Sequence, residues 1–308
     1  MRNIIRKLIP LSVRKKIYEI RNASDFKKEI VQLKSELFYY KVLAYFNDNP
    51  SPEYKNETAY LKETGKLITF PYRQLQTILN IEGGYDKVKK MPYVLHNNKR
   101  LFFPDNWSLN GAKHVYANYI ETENILGGGY SEKAPHQYLT EEFNIDERDV
   151  VIDVGAAEGL FLLDVIERIK KAYILEPDKG WLKTLRATFE PYKDKVTIIE
   201  KYATDIDSAN ETKLDSCIDV TSQSLFIKMD VEGFEQKVLS GATNLLAHKN
   251  VKVACCTYHK QNDAFELDNF FKSKGFETAF SEGYILFPYD ENIQPPYFRK
   301  GMIRARKK

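Results

Sequence analysis

The spacing of apolar residues changes character near residue 149. Before that point it is helical. Phe26, Ile30, Leu33, Leu37, Tyr40 and Ala44 recur at 4-3-4-3-4 intervals, with Ser24 and Asp25 as capping residues at the start. Such a stripe predicts ordinary helix packing rather than a dimer seam. Upstream, residues 1–20 alternate Ile/Leu with Arg/Lys. Ile4 and Leu8, and Ile5 and Ile9, share helix faces until Pro10 interrupts. "YVLHNNKRLFF" predicts a hairpin around Asn97-Asn98. "GAKHVYANYIETENIL" predicts a helix ended by Gly127-Gly128-Gly129, and "HQYLTEEFNI" a short one. Residues 1–140 therefore read as an α-rich N-terminal region with a small β-hairpin.

From 149 onward, strand-like and helix-like runs alternate. "VVIDV" precedes "GLFLLDVIERIK", "AYILE" precedes "KGWLKTLRATFE", and "VTIIEKYA" precedes a polar stretch. "SLFIKMD" then precedes "EQKVLSGATNLL", and "VKVACCTYH" precedes "DAFELDNFFKSKG". This alternation predicts a parallel sheet covered by helices on both faces. "FETAFSEGYILF" adds a hairpin around Glu282-Gly283, and "MIRAR" one more strand. The predicted second domain spans 141–308.

Composition narrows the partners. The 308 residues are 43% hydrophobic, enough for a substantial core. With 46 basic against 43 acidic residues the chain is not a general polyanion binder, and no nucleic-acid partner is expected. Basic residues gather at both ends, and residues 1–20 are the expected point of peripheral contact with an anionic membrane. Cys217, Cys255 and Cys256 lack metal or redox spacing. They read as thiols of a reducing compartment, so the expected location is the cytoplasm, with membrane association at its inner face through the N-terminus. A homo-oligomer is compatible with the sequence, which does not define the oligomeric state.

The candidate chemistry sits where strands end. In such a sheet, ligands gather at the carboxyl ends of the strands. Asp153 closes the first strand, and Gly155 and Gly159 open the following turn. A pyrophosphate cradle would place glycine at the central position, where Ala157 stands. An acid two residues before the first glycine suits a ligand with an amino group instead. Glu176 follows the second strand, where a carboxylate can hold both hydroxyls of a ribose. Amino group plus ribose outlines S-adenosylmethionine. The structural alternatives are a helix-capping Asp153 and a solvated Glu176-Pro177 turn.

"VIDVGAAEG" at 151–159, "LEP" at 175–177 and "IKMDVEGFEQKVLSGA" at 227–242 together resemble the FkbM-type S-adenosylmethionine-dependent methyltransferases. The resemblance covers roughly residues 145–290. One departure is Ala157, where the family usually has Asn. The resemblance implies a class I methyltransferase, Rossmann-like α/β fold: a seven-stranded, mostly parallel sheet of order 3-2-1-4-5-7-6. It implies that Asp153, Gly155, Ala157 and Gly159 line the methionine end, that Glu176 holds the ribose, and that Asp205 faces the adenine. It also implies O-methylation of a hydroxylated small-molecule or glycan acceptor, with surface polysaccharide assembly one setting.

A hydroxyl acceptor gains from a base. Asp230 and Glu232 end the fourth strand beside the expected methyl position. His259 ends the fifth and is the expected neutral base, titrating through roughly 6–7. His136 is a further candidate, expected to close over the substrate, while Glu235 reads as structural. No spacing along the chain marks a metal site, although Asp230, Glu232 and His259 would meet one if their strand tips converge. The alternative reading is a non-catalytic binding protein that keeps the fold, with its N-terminal half an interaction module. A dehydrogenase is a distant third.

Overall fold

A computed structural model describes residues 11–71, 80–120, 134–219, 224–290 and 292–307. The chain divides into two compact units, Met1–Ile68 and Thr69–Lys308. The break in packing thus falls at 68/69, and the described residues between 69 and 140 belong with the sheet that follows them.

The first unit contains α1 (Leu11–Asp48) and α2 (Lys55–Thr64). Helix α1 runs through Ser24 and Asp25, so the helix start expected there does not occur. Tyr39, Val42, Phe46 and Leu61 form its buried contacts, and the Tyr39 hydroxyl donates to the Leu61 carbonyl at 3.3 Å. The predicted stripe lies on another face: Phe26, Leu33, Leu37 and Tyr40 are exposed. Residues 1–10 of the predicted membrane-contact segment lie outside the described residues. No described helix is long and apolar enough to cross a membrane.

The second unit opens with β1 (Gly83–Asp86), β2 (Met91–His96) and β3 (Lys99–Phe102), an antiparallel sheet. The β2–β3 hairpin turns on Asn97 and Asn98 as predicted, both with positive φ (49° and 63°). Asparagine tolerates that region well, and two such residues in sequence give the tight turn that matches strand twist. Helix α3 (Leu109–Asn118) follows; the predicted glycine stop at 127–129 lies outside the described residues. "HQYLTEEFNI" forms no helix. Thr140 and Phe143 close a turn instead, and the segment carries Tyr138 into the core.

The main sheet uses β4 (Val150–Val154), β5 (Lys171–Leu175), β6 (Val196–Ile199), β9 (Leu225–Met229), β10 (Val251–Cys256), β11 (Phe276–Phe280) and β14 (Met302–Lys307). Between β6 and β9 lie the short β7 (Tyr202–Ala203) and β8 (Glu211–Thr212). The sheet order is β11-β14-β10-β9-β4-β5-β6. In sheet-strand numbering this is 6-7-5-4-1-2-3, the class I methyltransferase arrangement read from its other edge. Strands β6, β5, β4, β9 and β10 are parallel, and β14 runs antiparallel to both β10 and β11. The predicted 276–287 hairpin does not form. Residues after β11 make β12 (Ile285–Leu286), which pairs with β13 (Phe298–Arg299), while β11 takes β14 as its neighbour.

Alternate residues of the buried strands feed two cores. Val151, Ile174, Phe226 and Ala254 pack with α4 (Leu160–Val165) and α5 (Lys179–Phe189) on one face. Ile152, Leu175, Ile227 and Val253 pack on the other, under helices that follow β8, β9 and β10: α6 (Leu214–Cys217), α7 (Glu235–Ser240), α8 (Thr243–Ala247) and α9 (Asp263–Ser273). Cys255 and Cys256 are free, buried thiols, one packed into each of the two cores.

Candidate functional site

Three strand tips converge. Strand β4 ends at Val154, and Gly155 turns the chain with φ 76°. A Cβ at Gly155 would run into the carbonyl oxygen of Asp230, just beyond β9. The glycine is thus needed because two backbones meet. The steric demand for glycine at this atom therefore comes from the protein itself rather than from a ligand. Gly159 starts α4 with φ 83°, and a Cβ there would meet Leu185 and Phe189 at 2.8 Å.

Asp153 lies opposite Lys228 in the β4–β9 register and is completely buried. The Lys228 ammonium sits 3.1 Å from its Oδ1, within ion-pair distance but off the angle of a hydrogen bond. The same ammonium donates to the Gly155 carbonyl at 2.5 Å and lies over the Tyr138 ring. Burial pushes the Asp153 carboxyl up, partly offset by Lys228. Burial pulls the other way on Lys228, but Asp153 and Asp230 outweigh it and hold the amine charged. The amino group facing Asp153 is therefore the protein's own, and Asp153 does not cap the following helix.

Glu176 follows β5 and is 6% exposed. Its Oε2 accepts from the Ala157 amide at 2.9 Å and its Oε1 from the Asp178 amide at 2.8 Å. It is a fixed carboxylate, not a solvated turn residue, and each oxygen retains acceptor capacity. Ala157 adopts φ 46°, the region an Asn occupies more readily. The departure from Asn thus costs backbone comfort but keeps the amide contact to Glu176. Beside it Glu158 is buried, and burial raises its carboxyl to about 7.

The densest cluster lies beyond β9 and β10. Asp230 Oδ2 accepts from the Tyr138 hydroxyl at 3.2 Å and lies 3.5 Å from His136 Nε2. Asp230 Oδ1 is buried without a hydrogen-bond partner and stands 3.3 Å from His259 Nε2, which also lacks one. On the other side of the ring, His259 Nδ1 meets Glu235 Oε1 at 2.9 Å. That oxygen also accepts from the amides of Val231 (3.2 Å) and Gly233 (3.4 Å). Glu232, with φ 53° and an exposed side chain, brings Oε2 to 3.6 Å from His259 Nε2.

Electrostatics revise the expected base. Burial lowers the His259 pKa, but the Glu235 hydrogen bond and the charges of Asp230, Glu235 and Glu232 outweigh it and raise it to about 9. Without a ligand the ring is an imidazolium at neutral pH, not a neutral base titrating through 6–7. Burial would raise Asp230, yet His136, His259 and Lys228 hold it well below the usual carboxylate range. Successive strand residues point to opposite faces, yet the Tyr258 ring centroid lies 4.2 Å from that of its neighbour His259. Strand β10 ends at Cys256, so strand alternation no longer applies there.

Of the residues singled out in the sequence, the structure gathers Asp153, Gly155, Ala157, Gly159, Glu176, Asp230, Glu232 and His259 around adjacent strand tips. His136 joins them from beneath, almost wholly buried behind Asp230 rather than closing over it. Asp205 does not join them. It is exposed between β7 and β8, and its Cα would be 3.3 Å from a Cβ on Gly241, at the far end of α7. Sequence reasoning missed Lys228, Tyr138 and Glu158. Only Lys228 carried a signal, as the first residue of the "KMDVEG" run. Glu235, read as structural, proves to orient His259.

The donor set fits S-adenosylmethionine. Carboxylates outnumber cations at these tips, which favours a sulfonium, and Asp230 keeps a buried oxygen without a hydrogen-bond partner. Glu176 offers spare acceptor capacity to a diol beside a loop that folds tightly against β9.

The sequence pattern of the methyltransferase FkbM domain matches residues 135–278. No curated protein matches the chain. Among solved structures, the methyltransferase FkbM of Methylobacillus flagellatus is similar at 20% identity and TM-score 0.45, covering 56% of this chain and 47% of that one. The chain thus spans about half the length of that protein. A precorrin-6y C5,15-methyltransferase of Geobacter metallireducens follows at 14% identity and TM-score 0.38, covering 54% of this chain and 82% of that one. TrmK of M. capricolum, solved with S-adenosyl-homocysteine, gives 12% identity and TM-score 0.35, covering 56% and 70% respectively. With its sheet order, its glycine turn and the acids at its strand tips, the segment 135–278 belongs to the FkbM methyltransferase domains, whose cofactor is S-adenosylmethionine.

Proposed function

We propose that the chain is an O-methyltransferase whose acceptor is a hydroxyl of a sugar or glycan. The observation that carries this reading is Asp230. It sits at the tip of β9 beside the glycine turn, with Oδ2 held by Tyr138 and Oδ1 left without a hydrogen-bond partner. S-adenosylmethionine supplies a methyl group activated by its sulfonium. Asp230 Oδ1 accepts the hydrogen bond of the acceptor hydroxyl and so directs an oxygen lone pair at that methyl. As the carbon–oxygen bond forms and the carbon–sulfur bond breaks, the electron pair returns to sulfur and the hydroxyl becomes strongly acidic. A weakly basic carboxylate then suffices to take the proton. His259, charged and hydrogen-bonded to Glu235, fixes Asp230 and balances its charge.

The rim supports a carbohydrate acceptor. Phe287 packs edge-on against His259, and exposed Tyr289 packs on Phe287. Rings of this kind cover the C–H faces of sugars. Exposed Glu232 at the same rim would repel a phosphodiester backbone, which argues against nucleic acid.

Calorimetry with S-adenosyl-homocysteine followed by label transfer to a glycan panel tests the reading. Glu176→Ala should weaken cofactor binding by about 1–3 kcal/mol. Tight cofactor binding with no label on any hydroxylated acceptor would remove the O-methylation reading. A folded Glu176→Ala with unchanged affinity would remove Glu176 from the site.

A further inference from the structure

We propose that Asp230, His259 and Glu232 bind a divalent metal ion at the acceptor side of the site, through Asp230 Oδ1, His259 Nε2 and Glu232 Oε2. Occupancy of this site does not depend on the methyltransferase reading; only its role in activating the acceptor rests on it.

The spacing fits. Ligand atoms about 2.0–2.2 Å from an ion stand roughly 2.8–3.6 Å apart at angles between octahedral and tetrahedral geometry. His259 Nε2 lies 3.3 Å from Asp230 Oδ1 and 3.6 Å from Glu232 Oε2. The first two atoms are buried and make no hydrogen bond. Two polar atoms that face each other unbonded in a buried place leave a position for something between them.

The supporting contacts are those of a metal site. A ligating histidine gives its second ring N–H to a carboxylate, which fixes the tautomer and makes the free nitrogen more basic. Here His259 Nδ1 meets Glu235 Oε1 at 2.9 Å, and Glu235 is itself buried and tied to the loop amides. The other proposed ligand is held in the same way. Asp230 Oδ2 is engaged by Tyr138, with His136 beside it, so Oδ1 is the oxygen turned toward His259. Asp230 and His259 present ligand atoms within 4.8 Å of each other, together with Glu235, while Glu232 reaches only His259 and its exposed side chain must swing toward Asp230 Oδ1 to complete the set. The left-handed backbone at Glu232 is uncommon for a residue with a side chain, and it is the turn that brings this carboxylate over the imidazole.

Three protein ligands leave coordination positions open. One imidazole with two carboxylates suits Mn²⁺, Fe²⁺ or Zn²⁺ better than a hard ion that prefers oxygen alone. With the ion bound, His259 Nε2 gives up its proton to ligate it. The acceptor hydroxyl, held in the ion-free site by Asp230 Oδ1, would then sit at an open position of the ion and lose its proton more easily, since the ion stabilises the developing oxygen charge.

The test is calorimetric titration of the chelator-treated full chain with MnCl₂. We expect one ion per chain. His259→Ala and Asp230→Asn should each weaken binding at least tenfold. Glu235→Gln, which touches the ion through His259 alone, should weaken it about 10–100-fold. Arg306→Ala, at the opposite edge of the sheet, should bind Mn²⁺ as the wild type does. Thermal melts of each variant check folding, and Mn²⁺ paramagnetic resonance repeats the comparison on any variant too unstable to titrate. No saturable binding, or equal affinity in wild type, His259→Ala and Asp230→Asn, overturns the site. Cofactor binding measured in the same samples separates this outcome from failure of the methyltransferase reading. Loss of Mn²⁺ binding with intact S-adenosyl-homocysteine binding sinks the metal alone.

Discussion

The two ends of the central sheet carry opposite charge in opposite surroundings. At the carboxyl tips, Asp153, Lys228, Glu235 and His259 are each 5% exposed or less, and each has a defined partner. At the amino edge, Arg148, Lys170, Lys249, Lys252 and Arg306 surround an open cleft of about 490 Å³. Lys252 there pairs with Asp149 at 3.0 Å and Asp146 at 2.8 Å, while Arg306 meets Glu277 at 3.4 Å with both side chains about half exposed. Solvent screens the Arg306–Glu277 pair, so it contributes little to stability and is easily replaced, whereas Lys252 closes over a fully buried Asp149. The tip charges have lost their water, and each depends on its neighbour. Chemistry is found where desolvation makes charge costly, not where charge is plentiful.

The largest effect should come from Gly155→Val, which drives a side chain into the Asp230 carbonyl. Loss of more than about 5 kcal/mol, or failure to fold, is expected in urea unfolding. A stable Gly155→Val would mean the two strand tips can part. Lys228→Met comes next. It strands a buried Asp153 and should cost about 3–5 kcal/mol, while the double change Asp153→Leu with Lys228→Met should recover most of that. An equal loss in single and double variants would show that the pair matters by shape rather than by charge.

Glu158→Gln should act in the opposite direction. The unfolded carboxyl titrates near the ordinary glutamate value of 4.5 and the folded one near 7. A raised acid contributes stability fully below the lower value and loses it as pH climbs through the upper one. Glu158→Gln should therefore exceed wild type by roughly 2–3 kcal/mol above pH 7, with no difference at about pH 4. Parallel stability curves for the two proteins would remove this asymmetry between the ends. The smallest effect belongs to the edge: Arg306→Ala should change stability by less than about 0.5 kcal/mol. A loss comparable to that of Lys228→Met would erase the contrast.

Much of this contrast was legible in the sequence, though unevenly. Apolar runs alternating with helical stretches gave the five parallel strands, and Asn97-Asn98 gave the hairpin, because these patterns are local. The antiparallel edge was not legible: "FETAFSEGYILF" has the form of a hairpin, but its first strand finds a better partner in residues 302–307. Asp230, Glu232 and His259 were found because each follows an apolar run. Tyr138 was not, since it lies in a segment whose pattern reads as helix, and only the fold brings its hydroxyl to Asp230. The state of His259 was equally hidden. A free histidine titrates near neutrality, and only the carboxylates of residues 230–235, brought around its ring by the fold, keep this one charged.

Glu235 joins two loops through a single oxygen, which binds Val231, Gly233 and the His259 ring. In mechanical terms the turn after β9 and the segment after β10 form one plate rather than two fingers. A displacement of the imidazole must be carried to the backbone of residues 231–233, and so to the side chain of Glu232. Whatever occupies the cleft therefore sets the posture of the rim, and the protection of the Val231 amide against hydrogen exchange is the natural gauge of that posture.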